Sequence, residues 1–89
     1  MSLLSKTFTL GKLNGTIYDF ENVGDELEAH THDESTVHIS IVARGKLYAY
    51  GYDWEKEVSS GAVLDWKPGV YHGFKSLEPN SRLINIQKS

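Results

Sequence analysis

The stretch His30-Thr31-His32-Asp33-Glu34-Ser35-Thr36-Val37-His38-Ile39-Ser40-Ile41 holds three of the four histidines of this 89-residue chain. Read as a strand, His30-Thr31-His32 places two imidazoles on one face, because residues i and i+2 of a strand point the same way. Asp33-Glu34-Ser35-Thr36 has turn composition, and the β-branched run that follows is a second strand. His38 is then expected to return beside His30 and His32, so that three imidazoles meet across one hairpin. The fourth, His72, follows Lys67-Pro68-Gly69-Val70-Tyr71 at the start of a later strand, which a closed barrel can bring opposite the first pair. A lone His-x-His pair in a strand is a weak signal for metal. What gives it weight here is that every histidine falls where a single site inside a barrel needs one.

Outward from this stretch the β rhythm continues. Short segments rich in Val, Ile, Tyr and Thr, spaced by glycine or polar turns, predict strands at 7–10, 16–20, 27–32, 37–43, 46–52, 56–58, 62–66, 73–76 and 82–87. No helical period is found, and residues 22–26 are too short for a helix and contain Gly24. Arg44-Gly45-Lys46 is expected to close a tight hairpin, with further turns at 52–56 and 59–61. In 46–52, Tyr48, Tyr50 and Tyr52 share one face and Leu47, Ala49 and Gly51 the other. One of these faces is core and the other rim or interface, and the pattern alone leaves open which.

Composition narrows the classes. The length suits one small domain spanning 1–89. With 9 Lys+Arg against 12 Asp+Glu, a net charge of −3 offers no basic field for a polyanion, so nucleic acid is not an expected partner. Cysteine is absent, which excludes disulfides and thiolate sites. No apolar run of the ~20 residues needed to span a bilayer occurs, so the chain reads as soluble and cytoplasmic. A domain this small buries only about 60–65% of its unfolded surface, and metal binding or association is the usual supplement. A homodimer is expected, with the strand at 7–10 as the candidate for exchange or pairing.

The order of motifs resembles that of the cupins. Gly24, five residues, His30-x-His32, five residues, His38, six residues and Gly45 is similar to the first cupin motif. Gly61, then Lys67-Pro68-Gly69-Val70-Tyr71-His72-Gly73-Phe74, is similar to the second. The likeness covers about 24–74 and implies an all-β, cupin-type double-stranded β-helix, or jelly-roll, barrel of two antiparallel sheets. There are two departures: His38 stands where the family usually has a glutamate ligand, and Lys67 where it has a first proline. The resemblance implies one divalent transition-metal ion (Fe, Mn, Ni, Cu or Zn) held by His30, His32, His38 and His72.

Imidazole suits all of those ions, so the donor set does not name the metal. Four neutral ligands leave the ion its full charge, which favours an anionic or enolisable oxygen ligand. An octahedral ion would keep two open positions, the arrangement that oxygenases use, so a small-molecule dioxygenase or related oxidoreductase is one expectation. A module that holds a sugar or organic anion without turnover is another, and a metal-dependent isomerase or lyase a third. A closed structural zinc site is disfavoured by the lack of thiolates. Tyr48, Tyr50 and Tyr52 are candidates to line the pocket, and Arg44 and Arg82 to clamp a carboxylate. Trp66 and Phe74 read as barrel packing, Asp65 and Glu34 as turn or surface acids. No residue announces itself as a general base.

Overall fold

The structure, a computed structural model, describes residues 3–30, 37–67 and 69–88. Among these residues nine strands run in chain order: β1 (Leu3–Leu10), β2 (Leu13–Phe20), β3 (Glu26–His30), β4 (Val37–Arg44), β5 (Lys46–Tyr50), β6 (Glu55–Ser59), β7 (Val63–Asp65), β8 (His72–Ser76) and β9 (Ser81–Lys88). Each expected strand has its counterpart, with shifted ends. The largest shift is in β1, which begins at Leu3 because it pairs with β2 at every position from Leu3↔Phe20 to Leu10↔Leu13.

The strands form two antiparallel sheets, one of five in the order β1-β2-β9-β4-β7 and one of four in the order β3-β8-β5-β6. This topology corrects two expectations. β3 and β4 are not partners in a hairpin, since β3 pairs with β8 while β4 lies between β9 and β7. Nor does Gly45 close a hairpin: β4 and β5 lie in different sheets, and Gly45, at φ 81°, is the corner between them. The corner is packed tightly. A Cβ at Gly45 would run into the side chain of Ser81 and lie 2.9 Å from its Cα, so both the space and the backbone angle call for glycine. The turn at 52–56 does join paired strands, β5 and β6.

Side chains alternate between the space enclosed by the sheets and the outside. Phe20, Val42, Leu47, Ala49, Val58, Phe74 and Leu83 form the buried apolar cluster. For β5 this resolves the open question: Leu47 and Ala49 face in, and Tyr48 and Tyr50 face out. No described helix is long and apolar enough to cross a membrane.

Candidate functional site

On β4 the inward positions are His38, Ser40 and Val42; on β8 they are His72, Phe74 and Ser76. Each strand therefore carries a buried histidine in its first two residues and a buried apolar side chain, Val42 or Phe74, further along. The two imidazoles approach from opposite sheets, with ring centroids 5.1 Å apart and planes tilted by 49°. His30 stands directly opposite His72 in the β3–β8 ladder, after a register shift between Leu27 and His30. Of the four expected ligands, then, His38 and His72 come together and the backbone of His30 is next to His72. His32 lies outside the described residues, as does Glu34.

The surroundings of His72 fix its orientation and its tautomer. Its Nδ1 lies 2.9 Å from the carbonyl oxygen of Val70, which can only accept, so Nδ1 carries the proton and donates. In the neutral ring Nε2 then holds the lone pair. Trp66 stacks flat on the imidazole, centroids 4.1 Å apart and planes within 3°. The indole is itself held, because its Nε1–H donates to Ser40 Oγ at 2.9 Å and Ser40 donates to Asn85 Oδ1 at 2.6 Å. The backbone N–H of Trp66 also donates to the carbonyl of His38 at 2.9 Å. A chain of directional contacts thus runs from β9 through β4 to the ring on β8.

Sequence reasoning had Trp66 as packing only and did not find Ser40, Asn85 or Val70 at all. A signal was present. Ser40 lies between Ile39 and Ile41, and Asn85 between Ile84 and Ile86, so each is a polar residue alternating with isoleucine. Ordinary patterning turns such isoleucines inward. Here the polar residues are buried and the isoleucines form the outer side of the sheet.

Other candidates lie elsewhere. Tyr48 and Tyr50 are on the outer side of the four-stranded sheet, donating to Glu55 and Glu26 respectively, so they do not line the histidine site. With Trp54 and Lys75 they border an open groove of about 620 Å³. Burial and the Glu26 carboxylate push the Tyr50 hydroxyl up to about 12. Its ring crosses β8 at Gly73, where a Cβ would lie 2.8 Å from the ring and 2.9 Å from Ala29 Cα. Arg82 and Arg44 do clamp a carboxylate, but it is the chain's own Asp19, at 2.7 and 3.8 Å on the outside of the larger sheet.

Does this donor set suit a metal ion? His72 has the arrangement typical of a metal-binding histidine, one ring nitrogen donating to a backbone carbonyl and the other carrying the lone pair. His38 supplies a second buried imidazole beside it. Among the described residues no group of three or more His, Cys, Asp or Glu side chains gathers, so no described carboxylate joins the pair. The described part fits two ligands of an all-histidine set, without the glutamate.

Two antiparallel sheets enclosing a histidine pair at one end of the barrel define a cupin-type double-stranded β-helix. Solved structures agree. KdgF from a Halomonas species superposes with a TM-score of 0.85 at 21% identity, over 97% of this chain and 79% of that one. A cupin superfamily protein from Desulfitobacterium hafniense gives 0.82 at 11% identity, over 98% and 77%. An RmlC-like cupin from Desulfovibrio desulfuricans gives 0.81 at 21%, over 96% and 81%. No family model matches the chain, and no curated protein matches it.

Proposed function

We propose that this chain is a metal-binding cupin that takes a small, anionic oxygen-donor molecule at an ion held by His30, His32, His38 and His72. The observation that carries the reading is the pair His38–His72: two buried imidazoles with ring centroids 5.1 Å apart, one of them oriented by the Val70 carbonyl at its Nδ1. The backbone of His30 stands across the ladder from His72, which supports counting it in the same set. Fe, Mn, Ni, Cu and Zn all accept such a set, and a bound ion would polarise an oxygen ligand as a Lewis acid. With imidazoles alone as ligands the ion keeps its full charge, which favours a carboxylate or enolate over a neutral ligand. The protein's own contribution is orientation: Trp66, locked by Ser40 and Asn85, holds the His72 ring in one plane. Oxygen-dependent turnover, as in a dioxygenase, is the finer form of the same reading.

Elemental analysis of tag-free protein after reconstitution tests it. About one ion per chain is expected, lost in the His38→Ala/His72→Ala double variant and retained in His38→Glu, which restores the glutamate usual in cupins. Wild-type protein that takes up none of the five metals would overturn it. Activity of the loaded protein on small 2-oxo or 2-hydroxy acids, assayed with and without dioxygen, separates an oxygenase from an isomerase or lyase and from a binding module.

A further inference from the structure

The outer side of the four-stranded sheet carries a groove separate from the histidine site. β5 turns Tyr48 and Tyr50 outward, their rings within 25° of parallel and their centroids 5.8 Å apart. Glycine makes room for this aromatic floor. Tyr50 lies across β8 at Gly73, and the indole of Trp54 occupies the space above Gly51, so a Cβ at either position would collide with ring atoms. With Glu26, Asp53, Glu55 and Lys75 these rings line the open groove of about 620 Å³, which is the size of a small-molecule site.

The groove is also negative. Three carboxylates and one ammonium border it, in a chain whose net charge is −3. Two of the carboxylates are tied to the rings: Tyr48 donates to Glu55 and Tyr50 to Glu26. The same contacts push both hydroxyls up, Tyr48 chiefly through its hydrogen bond to Glu55, and Tyr50 to about 12 through burial and then Glu26. A further negative charge is thus opposed here and a positive one favoured. A phenol that donates to a carboxylate is the more electron-rich for it, and electron-rich ring faces attract cations.

We infer that this groove binds a small guanidinium compound, stacked on the tyrosine rings and paired with the carboxylates of Glu26 and Glu55. Two chemical arguments select that cation. A guanidinium is flat, weakly hydrated and stacks on aromatic faces, whereas an ammonium is compact and strongly hydrated. Its fork of N–H donors also matches a carboxylate, and carboxylates stand on both flanks of the rings, Glu26 on β3 and Glu55 on β6. The same acids repel anions, and a neutral sugar would gain from the rings but not from the charge. The groove lies outside the barrel, so its ligand does not depend on a metal at the histidines.

Isothermal titration calorimetry of the full chain with N-acetylarginine amide tests this, the citrulline analogue serving as a probe of similar shape without the charge. Saturable binding of the arginine probe is expected, with the citrulline probe weaker by about tenfold or more. Tyr48→Leu and Glu55→Gln should each weaken the arginine probe about fivefold or more. Neither residue belongs to the buried core, so unchanged far-UV circular dichroism should accompany the loss. Lys75→Gln should tighten binding about threefold, because it removes the ammonium that borders the groove. No binding up to about 10 mM probe, or equal affinity for the two probes, overturns the inference. So does an affinity that either weakening substitution leaves unchanged, or that fails to rise in Lys75→Gln. A glycine pentapeptide with arginine at its centre should bind no more tightly than the amino-acid probe; a gain of about tenfold would give the groove to a protein partner and overturn the small-molecule reading.

Discussion

The two ends of the barrel interior are built on different physics. At one end Phe20, Leu47 and Leu83 are fully buried and meet Val42 and Val58 in packing that has no direction. At the other, His38, Ser40, His72 and Asn85 are just as inaccessible, yet nearly every contact there has a donor, an acceptor or a ring plane. The apolar end supplies most of the folding energy, about 1.5–3 kcal/mol for each large side chain buried. The polar end returns little net energy per bond but admits only one arrangement. β4, β8 and β9 run through both ends, and this is how a fold made by one end holds a site at the other.

Substitutions can break that division. Leu83→Ala, in the apolar end, should cost the most, about 2–5 kcal/mol, read as a lower urea midpoint with an unchanged slope. Ser40→Ala should cost less, about 1–3 kcal/mol, because it removes the acceptor for Trp66 Nε1–H and the donor to Asn85. The two should differ in kind as well as size. The serine variant is expected to alter near-UV circular dichroism and, on the metal-binding reading proposed above, to lower metal uptake, whereas Leu83→Ala should unfold sooner but take up as much metal as the wild type when folded. Equal metal loss in both would mean that the ends are not separable.

The smallest effect is expected outside the barrel, at Asp19. Its hydrogen bond to Arg82 holds the carboxyl below its ordinary value of 3.8. A group with a depressed pKa stabilises the fold above its unfolded pKa and loses that contribution as pH falls through the folded one. Stability attributable to Asp19 should therefore be constant from pH 7 to about 5 and decline below 3.8, and Asp19→Asn should flatten that part of a midpoint-against-pH curve.

Much of the fold was legible because its signals are local. Nine β-type segments, Gly45 and the order of the histidines are all visible along the chain. What stayed hidden depends on which sheet a strand enters. His30 and His38 look like partners across a short turn, but β3 and β4 belong to different sheets, so His38 reaches His72 from the opposite side. The ordinary rule for alternation also fails in β4 and β9. Ile39, Ile41, Ile84 and Ile86 face outward, and the polar residues between them face in. Periodicity finds both faces of a strand but cannot say which is wet, and here the inner one carries the site while the outer one is apolar.

Trp66 stacks on His72 at 4.1 Å and lies 5.6 Å from Trp54, and the chain has no other tryptophan. Two indoles this close couple their electronic transitions, and the nearer one shares a van der Waals surface with the imidazole. The protein therefore carries its own optical probe. Emission and the exciton signal in circular dichroism will change with whatever occupies the site, so a ligand can be sought by screening unlabelled protein before any activity is known.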